Sequence, residues 1–420
     1  MSSSTVLVHP PETPMHSRKA GSTRWPRFPG WCAMAWLGVM LIITPSLASG
    51  GWCPFCPPSQ PTLAEYLSTS DAAVLVQWRA SQGNAEQQTA TTDLAIVDVL
   101  KGDAENWKKG TTIVLPYTRD GQPGDLFLLM GTLEQKGDLA TASWSVVQEI
   151  NETLYGYIRR APGIERGSAE RLTFYLPYLE AADPEIANDA FAEFSRASYV
   201  DVSSLKPRFH REKLREWVRS EQVLAVRKGL YAMMLGLCGE PEDAAWLKHE
   251  ILRPVKPEET RLGIDGMMAG YVLLTGRQGL EEICQAKLDD LQTPPSEVYA
   301  TVNLLRFLWE ERPLPLTDDE LRSQMRKLLK RNDLSEVAVV DLARWKDWSI
   351  WPKLRDQWGR GPFASFSGKQ KLVQFAKAML KDATWGDAES RQDVARFLEG
   401  HRLDQPGTLP LPAPENTTPR

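Results

Sequence analysis

The chain is poor in the residues from which metal and redox centres are built. Five cysteines and five histidines occur in 420 residues, and none of them has the spacing of a Cys/His zinc cluster or a c-type haem site. His210, His249 and His401 stand singly, so neither a catalytic triad nor a His-rich metal site is suggested. A basic surplus is also missing. Forty-nine Lys and Arg stand against 54 Asp and Glu, a net of -5, which lacks the positive footprint of a nucleic-acid binder. Gly368-Lys369-Gln370 has neither the upstream glycine spacing nor the Ser/Thr of a phosphate loop and reads as a loop before a helix. No catalytic residue, cofactor or metal is therefore assigned, no small-molecule substrate is identified, and a non-enzymatic protein is expected.

What is present begins with an address. Residues 1–30 are polar, Pro-rich and basic, and Trp31 to Leu47 then runs seventeen residues without charge, followed by the small-x-small site Ser46-Leu47-Ala48. This is the layout of a secretory signal peptide over residues 1–48. Synthesis from Met15 would account for its long basic region. The competing reading is a single-pass membrane anchor over residues 31–48, although the run is broken by Pro45 and shorter than the roughly 20 residues a spanning helix needs. Cleavage after Ala48 leaves 372 residues with a net charge of -8 and four cysteines, in a periplasmic or secreted setting where disulfides persist.

Residues 49–60 hold the one sharp motif, Trp52-Cys53-Pro54-Phe55-Cys56-Pro57-Pro58. Thiols at i and i+3 with Pro between them match the pattern in which one thiolate attacks and the other resolves. A working redox centre also needs a strand before it and a helix N-terminus to depress the thiol pKa, and five residues past the cleavage site leave no room for that strand. A structural disulfide, half of a metal or partner site, and a redox centre all remain open for Cys53 and Cys56. A bridge between Cys238 and Cys284 is likewise open, beside their reading as small buried hydrophobes.

From residue 61 to 160 the pattern is β. After a short helix, DAAVLVQWRA alternates with Ala72, Val74, Val76 and Trp78 on one face, TTDLAIVDVL is apolar on both, and TTIVLPY, GDLFLLMG and LATASWSVVQEI follow. Five or six short strands at this spacing predict a small closed or partly open barrel. The order of Cys pair, short helix and these runs resembles the netrin-like, OB-type barrel of the metalloproteinase tissue inhibitors. That resemblance implies a zinc-chelating role for Cys53, but residues 57–237 contain none of the cysteines that bridge the family's barrel. The stretch holds eight basic and thirteen acidic residues, so a nucleic-acid groove is not expected in it.

Residues 165–402 change to a period near 3.6. Leu172, Tyr175, Leu176 and Leu179 share a stripe, Asp183-Pro184 opens a helix, and Thr317-Asp318-Asp319-Glu320 is a capping box. An offset of 37 residues superposes Gly239 on Gly276, Leu247 on Cys284 and then Leu321, and Ile251 on Leu288 and then Met325. Paired helices at this period resemble HEAT-like α-solenoids, in which each unit buries its face against its neighbours. Trp345, Trp348, Trp351 and Trp358 form a dense aromatic segment, either inter-repeat packing or a surface that stacks on sugars or a partner. Residues 403–420 read as a disordered Pro-rich tail.

The expected architecture is α+β and multidomain, a small β barrel followed by a helical solenoid. The combination resembles a group of exported bacterial proteins, a resemblance that brings no activity with it. The expected role is an exported scaffold presenting its helical surface to a protein or cell-envelope component. Thiol-disulfide or metal chemistry at Cys53 and Cys56 is the alternative, and protease inhibition by the barrel a weaker one.

Overall fold

The computed structural model describes residues 53–56, 60–83, 90–103, 107–136, 139–256 and 259–401, all within one compact unit, Ser49–Arg420. The segment read as signal or anchor and the Pro-rich tail lie outside the described residues. Among the described residues no helix is long and apolar enough to cross a membrane.

Helix α1 (Leu63–Thr69) opens on a capping box between Thr62 and Glu65 and leads into β1 (Ala72–Gln82), β2 (Thr91–Lys101), β3 (Thr112–Leu115), β4 (Leu126–Lys136) and β5 (Leu139–Ile150). These form one antiparallel sheet in the order β3-β2-β1-β4-β5. Period-two alternation sorts its side chains. Val74, Val76, Leu94, Ile96, Phe127 and Leu129 fill a separate cluster on one face, while Ala73, Leu75, Leu128 and Met130 join the helical core on the other.

The sheet does not close into the expected barrel. β3 and β5 are its two edges, and β3 stops after four residues where Pro116, lacking an N–H, cannot continue the ladder. Register shifts at Ala73/Val74, Leu75/Val76 and Trp78/Ala80 mark irregular pairing between β1 and β2, of the kind that strengthens the local twist.

The rest of the described chain is helical: α2 (Glu152–Arg160), α3 (Ser168–Tyr175), α4 (Pro184–Ser195), α5 (Tyr199–Ser204), α6 (Arg211–Arg219), α7 (Ala225–Cys238) and α8 (Pro241–Leu252). It continues with α9 (Ile264–Thr275), α10 (Arg277–Leu288), α11 (Pro295–Glu311), α12 (Asp318–Arg326), α13 (Ser335–Arg344), α14 (Trp351–Asp356), α15 (Phe366–Lys381) and α16 (Ala388–Gly400). Asp183 caps α4 by accepting from the Glu185 N–H at 2.9 Å with Pro184 at the first position, and the Thr317–Glu320 box caps α12.

Residues 368–370 are not a loop: they lie inside α15, whose cap Ser365 accepts from the Gly368 N–H at 2.8 Å. Glycine is needed there because a Cβ would stand 2.2 Å from the Pro362 carbonyl oxygen. Its value in a close approach outweighed its usual role as a helix breaker.

The 37-residue offset has a structural counterpart. Gly239 and Gly276 both end helices, α7 and α9. Leu247, Cys284 and Leu321 are fully buried in α8, α10 and α12, and Ile251, Leu288 and Met325 are buried one turn further along the same helices. Three polar ties keep a similar interval, each linking a helix to the one two places away. Asn303 bonds Asp265 at 3.1 Å, Arg306 bonds Asp341 at 3.0 Å and Arg355 bonds Asp393 at 2.8 Å, at separations of 38, 35 and 38 residues.

Candidate functional site

Cys53 and Cys56 are joined by a disulfide with Cα atoms 5.4 Å apart, in a turn rather than at a helix N-terminus. The turn is docked into the helices. The Cys53 N–H donates to the Ser195 carbonyl at the end of α4 at 3.0 Å, and Cys53 and Phe55 are each 5 % exposed. The Phe55 ring meets Phe307 of α11 edge-on at 5.0 Å, and Phe307 meets Tyr199 of α5 at the same distance. Phe55, which the sequence presents only as a spacer between two cysteines, is thus the apolar anchor of the segment. Cys238 and Cys284 are not bridged, and burial pushes their thiols up to about 11 and about 12.

The four tryptophans of the aromatic segment divide. Trp345 is buried and stacks on Trp309 of α11 at 4.5 Å and 11°. Trp358 is half-buried against Phe397 and His401. Trp348 and Trp351 come together in a cleft of about 430 Å³ with a third indole, Trp385, and with Arg355, Asp393 and Arg396.

Phe375 of α15 sets the two indoles. Trp351 lies nearly parallel to its ring, at 8°, and Trp348 nearly perpendicular, at 81°, so the two indole planes make a corner. Trp351 is 4 % exposed, and its indole N–H has no hydrogen-bond partner. The Trp348 indole N–H donates to Asp382 at 3.0 Å. That bond, together with one from the Thr384 hydroxyl at 2.7 Å, holds the Asp382 carboxyl well below the usual carboxylate range, the Thr384 bond contributing most.

In the same cleft, Arg355 of α14 pairs with Asp393 of α16 at 2.8 Å, and Arg396 approaches Asp393 at 3.7 Å. Of these residues the sequence reading singles out only Trp348 and Trp351. Trp385 carried a usable signal, since it lies 37 residues beyond Trp348, the offset found elsewhere in the sequence.

A second polar group is buried where α1 meets α2, α3 and α4, and the sequence did not mark it as a site. Asp189 accepts from the Leu63 N–H at 2.7 Å and from the Tyr157 hydroxyl at 2.6 Å, while Glu193, one turn on, pairs with Arg171. Burial raises both carboxyls above their ordinary pKa. The i, i+4 spacing puts them on the same face as Ile186, Ala190 and Phe194, so they hold the start of the β segment to the helices.

Among the described residues no group of three His, Cys, Asp or Glu is placed to hold a metal ion. The chain matches no protein-family model, no curated protein and no solved structure.

Proposed function

We propose that this chain is an exported, non-catalytic binding protein: an open OB-type sheet packed on a HEAT-like helical array that presents its surface to a cell-envelope component or a protein within the envelope. The observation that carries the reading is the amphipathic cleft of Trp348, Trp351 and Trp385, whose α14 and α16 are tied by Arg355 and Asp393, 38 residues apart. An array of this kind holds a binding surface on rigid elements.

For the disulfide, burial of Cys53 and its backbone bond to Ser195 favour a staple over disulfide exchange or metal capture. They equally disfavour the zinc-chelating role that the protease-inhibitor resemblance would give Cys53, since a bridged sulfur has no thiolate to offer a metal.

Co-sedimentation of the purified chain with isolated cell envelopes tests the proposal. Saturable binding that is weakened by Trp385→Ala is the expected result, and retention that rises linearly with concentration and ignores the substitution would overturn it.

A further inference from the structure

We infer that the cleft of Trp348, Trp351 and Trp385 is a saccharide site that takes a neutral glycan segment about two rings long. This deepens the binding role proposed above by naming its ligand, and it rests on that role.

Four observations converge on this ligand. The first is shape. Trp348 and Trp385 are partly exposed in the cleft and offer indole surface to stack against a ring, while Trp351, only 4 % exposed and packed on Phe375 and Phe397, supports them without an open face of its own. A pyranose is a flat body with apolar C–H faces and a rim of hydroxyls, so it can lay a face on an indole while its rim stays in polar contact.

The second is charge. Arg355 and Arg396 are offset by Asp393 and Glu389 in the same cleft, leaving no net charge to attract a phosphate, a cation or an acidic peptide. A ligand rich in hydroxyls but without charge is the complement of such a surface.

The third is donor and acceptor geometry. Guanidinium and carboxylate groups are planar and bidentate, which suits neighbouring hydroxyls that donate and accept at once. The Arg355–Asp393 bond at 2.8 Å brings the two groups side by side, so a ligand would meet donors and acceptors together. The Trp351 indole N–H is buried without a protein acceptor, in a side chain that lines the cleft.

The fourth is size. A volume of about 430 Å³ falls within the range of small-molecule sites, about 300–1,000 Å³, and is open enough for a chain to continue beyond the bound segment.

The test uses the full exported chain and its tryptophan fluorescence, with binding heats measured in parallel. The probes are a panel of neutral disaccharides (diacetylchitobiose, cellobiose, maltose and lactose), and sodium phosphate and a sulfated disaccharide serve as charged controls. The expected result is a saturable response to at least one neutral disaccharide, at least tenfold weaker in Trp385→Ala and in Asp393→Asn, and unchanged in Trp358→Phe. Thermal melts of the variants check folding, and Asp393→Asn keeps the side-chain volume should Trp385→Ala fail to fold.

No saturable response to any neutral member would overturn the inference. So would a stronger response to the charged controls, or one that both cleft variants leave intact. If envelope co-sedimentation persists while every disaccharide fails, the binding role stands and the saccharide assignment falls. If co-sedimentation also fails, the binding role falls with it.

Discussion

Replacing Gly266 by Ala is the sharpest probe of how the helical array is held together. Gly266 sits in the first turn of α9, where a Cβ would stand 2.2 Å from the Gly229 carbonyl oxygen and 2.4 Å from its Cα, on α7. Both obstacles are backbone, so no rotamer change relieves them and the two helices must separate. In an open helix the same substitution stabilises, by up to about 1 kcal/mol, because Ala has the higher helix propensity.

Overpacking a close-packed contact costs about 1–3 kcal/mol, and a backbone clash lies at the upper end of that range. The net expectation for Gly266→Ala is a loss of about 1–2 kcal/mol, after the propensity gain is set against the clash. Gly156→Ala in α2 is the control: nothing lies within 4 Å of its would-be Cβ, so it should be neutral or stabilising by up to about 1 kcal/mol. Urea unfolding of both variants beside the parent measures the two signs together. If Gly266→Ala is as stable as the parent, α7 and α9 do not cross at backbone contact and this account of their packing is wrong.

Two further predictions concern the segments that lock the β part to the helices. Replacing Cys53 and Cys56 together by Ser should lower stability by about 2 kcal/mol, the chain-entropy value for so short a loop; an unchanged melt would refute the staple and return the thiol reading to first place. The pH dependence has a definite sign. Asp189 and Glu193 have folded pKa values above their ordinary ones, so their contribution is fully present below about pH 4 and is lost as pH rises through the folded values, whereas Glu282, held at about 2 by the Tyr271 hydroxyl and Lys248, contributes at neutral pH and is lost in acid. Thermal midpoints of the parent and Asp189→Asn, followed from pH 4 to 8, should show a flatter profile in the variant; parallel profiles would refute the assignment.

Much of the fold was legible because the signals that carry it are local. Alternation in 72–78 gave the two faces of β1, Asp183-Pro184 and the Thr317 box marked the starts of α4 and α12, and the 37-residue offset located residues that are buried at matching places in α8, α10 and α12. Barrel closure was not legible, because it needs β3 and β5 to meet, a long-range pairing that no run of residues encodes, and Pro116 cuts β3 short. Gly368 was misread because a glycine that permits close backbone approach looks, in sequence, like a glycine that ends a helix.

The site was legible by half. Trp348 and Trp351 stood out as aromatics, but their division from Trp345 and Trp358 depends on which ring Phe375, Phe397 and Trp309 cover. Trp385 and Asp393 lie some 30 to 40 residues further along the chain, and Arg355, though in α14 beside Trp351, looks in sequence like ordinary surface charge. Asp189 and Glu193 went unmarked because two acids on α4 read as a solvated face until α1 is laid across them.

Hydrogen exchange measured on the full chain, free and bound to isolated envelopes, bears most directly on the claim that the tryptophan cleft is the binding surface. The account predicts slowed exchange on binding in peptides covering 348–356 and 385–396, with the rest of the helices unchanged. Protection confined to other segments, or none at all while the chain remains bound, would contradict it.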